Sequence, residues 1–66
     1  MDLMNDKDAA KYLGLSVATL RAWRYRQAAG QDQGEDYPPY HTLGAAVRYK
    51  RQDLDAWVNR NIVGAA

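Results

Sequence analysis

The tripeptide Gly14-Leu15-Ser16 constrains this chain most, because it joins two helical segments with almost no intervening length. Upstream, Asn5 with Asp8 three residues later reads as a capping box with the shorter acid, and Asp6 and Asp8 suit the positive end of a helix dipole. These signals predict a helix from about Asp6 to Leu13, with Ala9, Ala10, Tyr12 and Leu13 on its inner side. Gly14 stands where a left-handed residue ends a helix, Leu15 is apolar inside the turn, and Ser16, the only serine, is placed to cap the next helix. Two short helices must therefore cross, and the rest of the chain must cover the apolar sides they leave.

The second helix is expected from Val17 to at least Arg26, with Gln27-Ala28-Ala29 able to extend it before Gly30. Val17, Leu20 and Trp23 recur at threefold spacing on one side. At about 100° per residue Ala18, Ala22 and Tyr25 lie nearly opposite Leu20, with Thr19, Arg21 and Arg26 on the flanks and Arg24 near the core-facing side. The outward face is thus small, basic and aromatic. Residues 30–39 have the Gly, Pro and polar content of a connector with no packing face. Tyr40-His41-Thr42-Leu43 and Val47-Arg48-Tyr49-Lys50, on either side of Gly44-Ala45-Ala46, read as a β-hairpin. Alternation in its second strand sends Val47 and Tyr49 inward and Arg48 and Lys50 outward. A third helix starts near Gln52, with Asp53 and Asp55 in its first turn and Leu54, Trp57, Val58 and Ile62 along its stripe. Val63–Ala66 is expected to fray. The expected fold is one domain over residues 1–66, mainly α with a small β-hairpin: a winged helix-turn-helix with a two-stranded wing and a C-terminal packing helix.

Composition narrows the function. Apolar residues make up 47% of the 66, but many are Ala, so the core is thin and each Trp and Leu matters. Without Cys there is no disulfide framework or thiolate metal site, and a single His builds no imidazole cluster. No catalytic constellation surrounds His41, which reads as an ordinary strand residue, so the expectation is no enzyme, no metal and no cofactor. No apolar run nears the roughly 20 residues of a membrane span and the N-terminus has no signal-peptide pattern, so a soluble, cytoplasmic protein without a membrane partner is expected.

The net charge of +1 hides a segregation. Residues 16–30 carry Arg21, Arg24 and Arg26 with no acid, and residues 37–52 carry Arg48, Lys50 and Arg51, each segment summing to +3. Asp32, Glu35 and Asp36 between them cancel one segment. The two basic segments make either one face for a polyanion or two separate solvated faces, and their placement on the fold decides. Arginine forks suit phosphate and guanine edges, and short Thr and Ala side chains let a helix approach bases. Arg21 is the leading base-reading candidate, with pairing to a surface acid as its alternative. Arg26 and Lys50 suit phosphate or plain solvation. Ser16 suits an N-cap or a phosphate at the helix end. Tyr25 suits stacking, phosphate or the core edge, whereas Trp23 and Trp57 sit on apolar stripes and read as core.

Asp8-Ala9-Ala10-Lys11-Tyr12-Leu13-Gly14-Leu15-Ser16, Thr19-Leu20-Arg21-Ala22-Trp23-Arg24, Pro38-Pro39-Tyr40-His41-Thr42-Leu43-Gly44, Val47-Arg48-Tyr49 and Asp53-Leu54-Asp55-Ala56-Trp57 together resemble the excisionase-like (AlpA-type) branch of the MerR-like winged-helix proteins. The resemblance runs from about Leu3 to Trp57. It implies a double-stranded-DNA-binding protein of phages, plasmids or integrative elements, in bacterial or phage nucleoid surroundings, acting as a recombination directionality factor or as a transcriptional regulator. Its implied partner is DNA, and the small size of the domain adds the expectation of cooperative binding to repeated sites with further copies along the DNA, with bending and an integrase or recombinase partner. By position the resemblance implies that Thr19, Arg21, Ala22 and Tyr25 line the recognition helix and that Arg48 and Lys50 form the wing contact; the helix projection and side-chain chemistry add Ser16, Ala18 and Arg26 to the expected DNA-binding set. Two departures stand out. Ala45 and Ala46 occupy the wing tip where basic residues are common, and the connector is longer and more acidic than usual. Its acids should be repelled by phosphate, so the connector is expected to point away from DNA or to meet a protein partner, which keeps a protein-interaction module as the competing class.

Overall fold

The computed structural model describes residues 3–31 and 36–61, with elements in the order β1 (Leu3–Met4), α1 (Asp6–Leu13), α2 (Val17–Ala28), β2 (His41–Leu43), β3 (Ala46–Lys50) and α3 (Arg51–Asn61). The turn chemistry behaves as its residues dictate. The Asn5 side chain accepts from the Asp8 N–H at 2.8 Å and starts α1. Gly14, at φ 72°, ends it by donating to the carbonyls of Ala10 and Lys11, and Leu15 N–H adds a 2.9 Å bond to Ala10. Ser16 then caps α2 by accepting from Thr19 N–H at 3.1 Å. Two helices joined in this way have little freedom in how they cross.

β2 and β3 pair antiparallel, with Thr42 opposite Val47 and Leu43 opposite Ala46 across a turn in which Gly44 takes φ 62°. This is the wing hairpin. A third strand that sequence reading does not anticipate, β1, pairs antiparallel with the other edge of β3, Met4 opposite Tyr49, giving the order β1-β3-β2. The sheet is therefore three-stranded where a two-stranded wing was expected, and the backbone just before α1 is tied to the base of the wing. β3 runs directly into α3, which begins at Arg51.

Ala9, Ala10, Leu20, Tyr49 and Leu54 form the buried core, so α1, α2, β3 and α3 each contribute to one centre. Met4, Leu13, Leu15, Val17, Trp23, Tyr40 and Val47 pack around it. Two alanines on α1 allow α2 to sit close, and the large Leu20, Tyr49 and Leu54 fill the space between elements. Tyr12 departs from expectation: it is exposed and donates its hydroxyl to Asp55 of α3. It lies roughly 110° round the helix from the middle of the Ala9–Ala10–Leu13 stripe, so its ring covers a rim and its polar tip stays outside. Trp57 and Val58 are half-buried along α3, whereas Ile62 and the tail lie outside the described residues.

The connector also departs from expectation, because its second half has a packing face. Tyr37 stacks on Trp23 with ring centroids 5.3 Å apart, Trp57 completes the group at 5.9 Å from Trp23, and Pro38 is buried. Asp36 fastens this segment to the end of α3. Its carboxylate accepts from Arg60 at 2.6 and 3.1 Å and from Asn61 at 2.9 Å, and its carbonyl accepts from the Trp57 indole at 2.6 Å. The bonds from Arg60 and then Asn61 hold the Asp36 carboxyl below its ordinary pKa. A depressed value means that the latch is fully favoured above about pH 4 and is lost as pH falls through the lowered value. Tryptophan emission should therefore shift on acidification in the native chain, and Asp36→Asn should show the shifted emission already at neutral pH. Identical acid profiles for the two proteins would contradict the latch. Asp32 and Glu35 lie outside the described residues.

Candidate nucleic-acid interface

The outer side of α2 and the wing hairpin border two adjoining clefts that share Arg21, Arg24 and Val47. One, of about 430 Å³, is lined by Asn5, Asp6, Lys7, Arg21, Arg24, Ala45, Val47 and Arg48. The other, of about 350 Å³, is lined by Arg21, Arg24, Tyr25, Ala28, Tyr40, Thr42 and Val47. Arg21 and Arg24 of the first basic segment thus meet Arg48 of the second on one side of the domain, with α2 and the hairpin as walls. Shallow, cation-lined, two-walled surfaces of this kind suit an extended polyanion better than a small enclosed ligand.

The residues named from the sequence divide across this surface. Arg21 is 68% exposed and Tyr25 69%, and both line the clefts. Ala18 and Ala22 are exposed on the same helix, as the helical projection requires. Arg48 reaches the first cleft, but it is half-buried and bends back to donate to the Val47 carbonyl at 2.7 Å, which corrects the expectation of a freely outward cation. β3 is the middle strand of the sheet, with a neighbour on each edge, so simple alternation overstates the exposure of its outward positions. Lys50 is exposed at the end of β3, opposite Leu3, and lines neither cleft. Ser16 serves as the N-cap, and its hydroxyl also bonds to that of Thr19 at 2.8 Å, so both hydroxyls are engaged at the start of α2. Arg26 is exposed but donates to the Tyr37 hydroxyl at 3.1 Å, which ties it to the connector.

Arg24 behaves as its core-facing position implies. It donates to both oxygens of Asp6, at 2.6 and 3.1 Å, and to the Tyr49 hydroxyl at 3.3 Å, with its guanidinium 6.0 Å from the centre of the Tyr40 ring. Burial opposes its charge, yet the bonds to Asp6 and Tyr49 leave its pKa raised. Burial pushes the Tyr49 hydroxyl up as well, against the pull of Arg24. Trp23 and Trp57 are occupied with Tyr37 in the aromatic group at the edge of the core. His41 bridges β2 to the first turn of α3, its Nε2 2.8 Å from Asp53 Oδ2. Sequence reasoning missed Asn5, Asp6 and Lys7 as part of this surface, along with Tyr40 and Thr42. Asn5, Asp6 and Lys7 directly follow β1, whose docking beside β3 has no local signal in two residues, whereas Tyr40 and Thr42 enter from the β2 side of the hairpin.

A helix pair with a tight turn, a hairpin wing and a cationic surface between them define a winged helix-turn-helix domain. The comparison with known families agrees. Residues 3–62 match the family model described as helix-turn-helix domain, and the chain belongs to that family, whose members are DNA-binding domains of the small helix-turn-helix type. No curated protein and no solved structure gives a significant match. Among the described residues no helix is long and apolar enough to cross a membrane.

Proposed function

We propose that the protein is an excisionase, a recombination directionality factor that binds repeated duplex sites cooperatively, bends the DNA, and works beside an integrase rather than catalysing a reaction itself. The observation that carries the DNA-binding part is the meeting of Arg21 on α2 and Arg48 on the wing in one cleft. In this reading Ala18, Thr19, Arg21, Ala22 and Tyr25 face the major groove, Arg48 and Lys50 take the backbone beside it, and Ser16 and Arg26 flank the contact. The excisionase part draws on the residue pattern and on size. A single module of this kind covers roughly 600–1,000 Å² on DNA, the low end for specific recognition, which favours cooperative binding of adjacent copies. Bending fits the same logic, since curved DNA brings neighbouring copies and a recombinase together.

Neutralising about six phosphates gives a log–log salt slope near −5. Binding to a fragment with tandem sites should therefore weaken steeply with salt and proceed cooperatively. Independent one-step shifts on a multi-site fragment would refute cooperativity, and salt-independent binding would refute the electrostatic face. Selection of bound fragments from the source genome separates the two roles this surface supports: sites flanking a recombination attachment region favour the excisionase, whereas promoter sites favour a small transcriptional regulator.

A further inference from the structure

We propose that Asp6, an acid inside the cationic surface, is the positioning residue that aims Arg21 at a base; the proposal rests on the DNA-binding reading above. Asp6 is the first residue of α1, and its carboxylate is only 18% exposed. Arg24 takes both of its oxygens in a fork-to-fork pair and is itself fixed by Tyr49 and Tyr40. Three elements, the start of α1, the middle of α2 and β3, therefore hold this carboxylate in place. Its Oδ2 stands 3.5 Å from Arg21 Nε.

The consequence for Arg21 is geometric. An anion fixed 3.5 Å from Nε biases the direction of the guanidinium electrostatically, while its two terminal amino groups remain available. Among the described residues those groups make no hydrogen bond, and the side chain is largely exposed. Two parallel donors on a guanidinium so directed are what the O6 and N7 atoms of guanine accept in the major groove. An arginine without this anchor would serve a phosphate as readily as a base, because its charge attracts either.

The same carboxylate opposes indiscriminate binding. It sits in a cleft with Lys7, Arg21, Arg24 and Arg48, where a phosphate would otherwise be most strongly attracted. Asp6 thus lowers affinity for any duplex while raising the preference for one, as expected of a specificity element that works partly by repulsion.

The test uses the whole chain with two probes, a duplex recovered by selection from a randomised library and a random-sequence duplex pool of equal length. Asp6→Asn keeps the shape and removes the charge. Binding to the random pool should tighten a few-fold, with a salt slope steeper by about one phosphate, while preference for the selected duplex should fall about tenfold. Asp6→Glu, which keeps the charge and displaces it, should lose preference with the salt slope unchanged. In an Arg21→Ala background Asp6→Asn should cost no further preference, since the effect passes through Arg21. Circular dichroism at the assay temperature establishes that each variant is folded. Equal losses on both probes in folded Asp6→Asn, or an undiminished effect in the Arg21→Ala background, would overturn the proposal. Salt-dependent binding with no selectable preference in the native chain would also overturn it, yet would leave DNA binding standing; only absent or salt-independent binding removes the reading beneath.

Discussion

The double variant Arg21→Glu/Arg48→Glu is expected to lose duplex binding by roughly a thousandfold while keeping its fold. A well-placed base-contacting arginine contributes about 1–3 kcal/mol of discrimination, and converting two cations to anions removes two phosphate attractions and adds two repulsions. The two residues come from different elements but line one cleft, so their losses concern one surface. Arg21→Glu also places a second carboxylate beside Asp6, which is already engaged by Arg24. The neutral pair Arg21→Ala/Arg48→Ala is therefore the milder companion, expected to lose roughly tenfold to a hundredfold. Titration of a labelled duplex at fixed salt, with circular dichroism as the check on folding, measures both. An affinity within tenfold of the native chain for the double glutamate variant would show that the cleft is not where DNA binds. If a protein partner instead docks through the connector and α3, its capture should survive these changes.

The second large effect concerns stability. Leu20→Ala should destabilise the domain by about 2–5 kcal/mol, because Leu20 is fully buried among Ala9, Ala10, Tyr49 and Leu54 and its neighbours already include two small residues that cannot expand into the space. A domain of this length has on the order of 3–10 kcal/mol in total, so the variant should lose a large share of its folding free energy and unfold at a much lower urea concentration. Two positions further along the same helix, Ala22→Ser changes an exposed site and should stay within about 0.5 kcal/mol. Urea unfolding followed by tryptophan emission compares the two. A loss below about 1 kcal/mol for Leu20→Ala would mean that α2 does not seat on the core through this residue. The contrast separates the two faces of one helix: Leu20 carries the fold, and Arg21 beside it carries the contact.

Local chemistry made much of this fold legible. Asn5 and Gly14 bound α1 at Asp6 and Leu13, and Ser16 with Gly30 bound α2, because caps act over three or four residues and their side chains are recognisable in isolation. The hairpin follows from Gly44 between β-favouring residues in the same way. What remained illegible depends on partners far along the chain. Tyr37 stacks on Trp23, fourteen residues earlier in the chain, and the two rings meet because α2 and the returning chain run side by side. Asp6 and Arg24 are eighteen residues apart and meet only after the Gly14-Leu15-Ser16 turn has set the crossing of the helices. Helical projection already pointed Arg24 inward, but it held no information on which acid would meet it. For the site, Arg21 and Tyr25 followed from the outward face of α2, whereas the partial burial of Arg48 and the capture of Arg26 by Tyr37 are tertiary consequences.

Whether DNA is held by the face between α2 and the wing can be read from the backbone amide resonances of the whole chain during titration with a selected duplex. The largest shifts are expected at Ala18, Thr19, Arg21, Ala22 and Tyr25 and along Val47–Lys50, with Arg60 and Asn61 nearly unmoved. Shifts centred on Asp36, Arg60 and Asn61, with α2 and the wing unaffected, would contradict this placement of the DNA.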